Sequence, residues 1–301
     1  MEKSLDGNVE RSIHLWENNQ HDAAIEEIHR AILSEPSSSV AHYVLGTYLA
    51  HLDRLPEAIN ELGVAIKLDP KNMDACLMLG ILLERMNDYD GAIKVFKGAL
   101  QHSPHEAGLH TLLADAFLQV GRKSEALLEY HNAVRSLPNE PHYYLNLGNC
   151  LAELEQVQEA IKAYQDGLSL DDSSELIHYA FGLALESIGE TNKAVGEYTK
   201  VIDMANFNAL LLEDGDASTL AGAYCHLGMI LLRNKEADRG IECLYKAVKL
   251  EPNEGEWHFE LGKALRDQGK TQEAREELEK ASICQNVLVA EEAKELLQRA
   301  F

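Results

Sequence analysis

Residues Met73 to Glu106 read MDACLMLGILLERMNDYDGAIKVFKGALQHSPHE. Leu79, Gly80 and Leu83 recur at the spacing of one helical face, and Ala92, Phe96 and Ala99 repeat the pattern further on. The spacing predicts two short helices folded back on each other. Gly80 and Ala92 are small where the helices must approach, and Leu83 and Phe96 fill the space around them. Asn87-Asp88 offers the turn, and Pro104 stops the second helix. Such a hairpin cannot bury its apolar stripe alone, so it must stack on copies of itself.

The copies are present. Prolines fall at 36, 70, 104 and 138, each 34 residues apart, with Asp172 in the next equivalent place. Numbering each repeat from residues 5, 39, 73, 107, 141, 175, 221 and 255 puts a small residue at position 8 in all eight. These are Ser12, Gly46, Gly80, Ala114, Gly148, Gly182, Gly228 and Gly262. Position 20 is Ala24, Ala58, Ala92, Ala126, Ala160, Ala194, Gly240 and Ala274. Asn87, Gly121 and Gly189 occupy position 15, where the paired helices need a turn former.

This pattern resembles the tetratricopeptide repeat family over residues 5 to 288. That family has Leu-Gly at positions 7 and 8, Ala at 20 and 27, and Pro near 32. The resemblance implies an all-α fold: a right-handed α-solenoid of eight helix-turn-helix repeats with a C-terminal capping helix. Residues 1–301 would form one superhelix with the cap at 287–301. A solenoid has no single core, since each repeat contacts mainly its neighbours.

Two regions depart from the template. In the first repeat, Asn8 and Arg11 stand at positions 4 and 7, where apolar groups are expected, as suits a terminal repeat with no outer neighbour. In the sixth, the next proline in phase is Pro252, so about twelve residues are inserted near 205–220. Met204, Phe207, Leu210 and Leu211 keep helical spacing, and Asp214-Gly215-Asp216 is a turn signal. The second helix of this repeat is expected to run to about Leu212 and the following helix to start near Ala217. These apolar residues either pack on each other or contact a partner. In the cap, Leu288, Leu296 and Ala300 supply an apolar stripe.

Composition narrows the function. The chain has 301 residues, 50 acidic and 27 basic, for a net charge of −23. That field repels nucleic acid and anionic membrane surfaces, and no apolar run is long enough to insert into a bilayer. Cys76, Cys150, Cys225, Cys243 and Cys284 show no paired spacing and read as free thiols. The polar start MEKSLDGNVE lacks a signal-peptide core, so a cytoplasmic location is expected. No phosphate-binding glycine loop, zinc-protease motif or nucleophile elbow occurs, so the chain is read as a non-enzyme without cofactors. His102, His105 and His110 cluster at one turn, but Pro104 leaves their zinc geometry unspecified, and no metal is assigned. His42, His110, His178 and His258 share position 4, read as hydrogen-bonded rings packed against the partner helix.

In the family, positions 5, 9 and 12 of each first helix line a concave groove for a partner segment. Carried over, and with Asn146 added from position 6, the partner-binding residues are Tyr43, Thr47, Leu77, Ile81, Asp115, Leu145, Asn146, Asn149, Tyr179, Leu183, Met229 and Phe259. Much of this strip is apolar, as a binding surface would be. Asn146 and Asn149 sit where related proteins hydrogen-bond a peptide backbone. No repeat has Lys at position 5, so the dicarboxylate clamp of heat-shock cochaperones is excluded. The expectation is an adaptor that binds a peptide or helix of another protein. A targeting arm of a larger enzyme and a self-assembling homo-oligomer are the alternatives.

Overall fold

The computed structural model describes residues 7–211 and 217–300. Among the described residues there are seventeen helices and no strand, an all-α fold. The chain divides into two compact units, 1–139 and 140–301, so that the first four repeats lie in one and the last four in the other.

The first unit contains α1 (Gly7–Glu17), α2 (His21–Ser34), α3 (Ser39–His51), α4 (Leu55–Leu68), α5 (Met73–Arg85), α6 (Tyr89–His102), α7 (Ala107–Gln119) and α8 (Lys123–Ser136). Each odd helix packs antiparallel on the next, and the small residue at position 8 sets how closely they approach. A Cβ added to Gly80 would lie 2.1 Å from Phe96 Cε1, so the ring of α6 fills the place that a side chain on α5 would need. Local chemistry fixes the ends: Ser38, Asn72 and Asp88 accept hydrogen bonds from the backbone N–H groups of Ala41, Ala75 and Gly91. Two polar side chains of the terminal repeat find partners in the buried layer. The buried Ser12 donates to the Tyr48 hydroxyl at 3.1 Å, and Arg11 donates to the buried Glu27 at 3.4 Å.

The second unit contains α9 (Pro141–Glu153), α10 (Val157–Leu170), α11 (Glu175–Ser187), α12 (Thr191–Leu211), α13 (Ala217–Arg233), α14 (Ala237–Leu250), α15 (Gly255–Asp267), α16 (Thr271–Ala281) and α17 (Val287–Ala300). At 21 residues, α12 is the long helix expected from the insertion, although Phe207 on it is exposed. Its expected end at Leu212 and the turn at Asp214-Gly215-Asp216 lie outside the described residues. The cap helix α17 buries Ala290 and Ala293 and lays Val289, Leu296 and Leu297 against Phe259 and Leu278. Leu288, expected on that stripe, faces solvent instead, one residue round the helix from Val289.

One backbone feature recurs eight times. Asn19, Asp53, Asn87, Gly121, Glu155, Gly189, Lys235 and Gly269 all have φ between 58° and 79°. Each is position 15, where the first helix ends and the chain reverses. Glycine, Asn and Asp adopt this left-handed conformation readily; Glu155 and Lys235 bear the cost of a Cβ there, about 1 kcal/mol each.

Candidate functional site

The stripe at positions 5, 9 and 12 is partly open in most of the first helices. In the first unit, Tyr43, Thr47, Leu77 and Asp115 are half-buried and Ile81 is 42% exposed. Their neighbours Leu45, Leu79, Leu82 and Leu113 are buried between helices. Thr47 donates to the carbonyl of Tyr43 within its own helix at 2.9 Å. Asp115 accepts from the Tyr130 hydroxyl, yet burial pushes its carboxyl above the usual range. Glu84, at position 12 of the preceding repeat, is also raised, first by burial and then by the charge of Asp115.

In the second unit, Leu145, Asn146, Tyr179, Leu183 and Met229 are half-buried and Asn149 is exposed. The Asn149 carboxamide oxygen accepts from the Tyr164 hydroxyl at 2.8 Å, which presents the NH2 end as a donor. Asn149 and Leu183 line one hollow of about 560 Å³ between repeats five and six, with Ala152, Val157, Glu153 and Glu155. Met229 lines a second, of about 630 Å³, between repeats seven and eight, with Leu232, Ala237, Arg233, Lys235 and Lys263.

Two expected contacts are altered. Phe259 is only 9% exposed, because α17 covers it and the Lys263 ammonium lies 4.9 Å from its ring centre; it belongs to the core. Tyr179 is wedged against α13: a Cβ on Gly222 would lie 2.4 Å from its hydroxyl oxygen. Its ring also meets those of Tyr198 and His226, each at 6.1 Å, and burial pushes its hydroxyl up to about 12.

That wedge surrounds a polar hub absent from the sequence reading. Glu186 accepts from the Tyr198 hydroxyl at 3.1 Å and from the Arg233 guanidinium, and His226 Nδ1 lies 3.1 Å from the same carboxylate. Burial alone would push the Glu186 carboxyl up; Arg233, His226 and Tyr198 together hold it below the usual range.

The position 4 histidines are hydrogen-bonded rings, as expected, with partners absent from the sequence reading. His42, His110 and His178 place Nδ1 2.6 Å from a carboxylate oxygen of Glu61, Glu129 and Glu197, and His258 lies 2.5 Å from Glu277. The other ring nitrogen faces a backbone carbonyl at the end of the preceding repeat: Pro36 at 3.3 Å, Pro104 at 3.1 Å, Asp172 at 2.9 Å and Pro252 at 2.9 Å. Each ring therefore clips its own second helix to the turn before it. The two ring nitrogens thus face a carboxylate on one side and a main-chain carbonyl on the other. With His110 committed in this way, the cluster with His102 and His105 does not converge, and no His, Cys, Asp or Glu group able to hold a metal occurs among the described residues. The recoverable signal was a His followed nineteen residues later by Glu, in alternate repeats.

Models described as tetratricopeptide repeat match residues 9–72, 83–145, 141–174 and 225–286. Comparison with curated protein sequences gives no match. Among solved structures, the C-terminal part of a TPR repeat-containing protein from Cytophaga hutchinsonii aligns with a TM-score of 0.66 at 15% identity, over 83% of this chain and 97% of that one. The APC/C Cut9–Hcn1 hetero-tetramer gives 0.63 at 17% identity, over 100% of this chain and 56% of that one. Yeast Tom70 gives 0.61 at 15%, over 94% and 59%. At these identities the likeness concerns the fold. No helix among the described residues is long and apolar enough to cross a membrane.

Proposed function

This chain belongs to the tetratricopeptide repeat family, and on that premise we propose that it is a non-catalytic scaffold that holds a segment of a partner protein along the first-helix stripe. The observation that carries this reading is the pair of apolar-walled hollows on that stripe, at Asn149–Leu183 and at Met229. The net charge of −23 supports a protein over a nucleic-acid partner. Five free cysteines support a reducing compartment such as the cytoplasm. Exposed Ile283 and Val287, at the junction of α16 and α17, favour self-association as a second reading.

The test compares Leu183→Glu with Leu128→Glu, a change at an exposed site on α8. Partners captured by the wild type should bind the Leu183 variant at least about tenfold more weakly, since a charge replaces an apolar anchor, and the Leu128 variant equally well. Equal recovery by all three proteins, each folded by circular dichroism, removes the stripe as the binding surface.

A further inference from the structure

The two hollows of the second unit are built from the same template positions. Positions 9, 12, 13, 15 and 17 of one repeat face positions 6, 9, 10 and 13 of the next in both. Their apolar floors are alike: Ala152, Val157 and Ala184 in the first, and Leu232, Ala237 and Ala264 in the second. Their charges reverse at positions 13 and 15, although Glu260 and Asp267 also line the second hollow. Glu153 and Glu155 at positions 13 and 15 of the first become Arg233 and Lys235 in the second, and Leu183 at position 9 becomes Lys263. Arg233 is bound to Glu186 and Lys263 to Glu260 at 2.8 Å, whereas neither Glu155 nor Lys235 has an ion-pair partner among the described residues.

The backbone marks the same two residues. Of the eight position 15 residues, Glu155 and Lys235 alone are neither Gly, Asn nor Asp, with φ of 61° and 67°. A long charged side chain at such a position costs about 1 kcal/mol that glycine would avoid. Between the hollows in chain order, the charge of Glu186 is compensated by Arg233 and His226. The stripe of this unit therefore presents a free negative charge beside the first hollow and a free positive charge beside the second.

We propose that the second unit reads a partner segment by polarity: a basic side chain beside an apolar anchor at the hollow of Glu155, and an acidic side chain beside an apolar anchor at the hollow of Lys235. This inference rests on the stripe being the binding surface, and it adds the chemistry and direction of the occupant. A chain of net charge −23 is otherwise an unfavourable surface on which to seat an acid, and Lys235 offsets that field locally.

The test selects a random-peptide display library on the full chain. The selected peptides should carry a basic and an acidic residue in a fixed order, each next to a large apolar residue. Glu155→Lys should weaken them about two- to fivefold and remove the basic residue on reselection; Lys235→Glu should do the same for the acidic one. Glu155→Gly, which relieves the backbone instead of straining it, should also lose the basic preference while remaining folded. Selected peptides displaced by Leu183→Glu but without a charge order, or indifferent to Glu155 and Lys235, would overturn the polarity and leave the stripe in place. Failure to enrich any peptide, or enrichment of peptides that ignore Leu183→Glu, would overturn both.

Discussion

Repeats five and six share a unit and a template, yet they fasten their helices differently. In repeat six, His178 is 2% exposed and joins Glu197 on α12 to the carbonyl of Asp172. In repeat five, the same two positions are Tyr144 and Ala163, a neutral pair. The alternation is general: repeats two, four, six and eight carry His and Glu, while repeats three, five and seven carry Cys76 with Val95, Tyr144 with Ala163, and Tyr224 with Cys243. One template position pair thus carries a His–Glu hydrogen bond in one set of repeats and residues that cannot form that pair in the other. The difference teaches that the period of the chemistry is twice the period of the fold.

The largest expected effect comes from breaking one clip. Glu197→Ala leaves a buried ring without its carboxylate and should cost about 3 kcal/mol, read as a lower urea midpoint and as faster amide exchange in α11 and α12. Adding His178→Tyr converts the site to the pair found in repeat five and should recover most of that loss. If the double variant is as unstable as the single one, the two fastenings are not equivalent and the comparison fails.

A smaller effect separates the repeats at position 15. Glu155→Gly in repeat five should raise stability by up to about 1 kcal/mol, and Gly189→Ala in repeat six should lower it by about as much, because one substitution removes a Cβ from a left-handed residue and the other adds one. Thermal melting would show shifts of opposite sign; shifts of the same sign would contradict the shared backbone.

The smallest effect is with acid. Burial pushes the Glu197 and Glu277 carboxyls up, but the hydrogen bonds from His178 and Lys200, and from His258 and Lys280, outweigh it and hold both below the usual range. A depressed carboxyl stabilises the fold above its unfolded value, about 4, and loses that contribution as pH falls through the folded one. The wild type should therefore lose more stability between about pH 5 and 3 than the His178→Tyr, Glu197→Ala variant does. Parallel losses would show that the clip contributes nothing in acid.

Much of this architecture can be read from the residues. The small position 8, the turn former at Asn87, Gly121 and Gly189, and the continuation of helical spacing past Val201 are local signals of a 34-residue repeat, and α12 follows them. What escaped was set by tertiary contact. Phe259 has the spacing of a stripe residue, but α17 folds over it, which no local pattern announces. Glu155 and Lys235 sit where propensity asks for glycine, so their left-handed backbone is imposed by the template around them. The His–Glu relation was written in the sequence, but only a reading across two repeats reveals it.

The clips also bear on how this protein can be shortened or rebuilt. Each one ties the last turn of an odd-numbered repeat to the body of the even-numbered repeat that follows, as Pro36 to His42 and Pro252 to His258. The acceptor is a main-chain carbonyl, which every repeat offers at position 32, and Asp172 serves there as well as proline does. Since the His and its Glu lie within one repeat, the clip travels with that repeat, and a shortened or lengthened descendant of this chain should keep it when a single repeat is gained or lost.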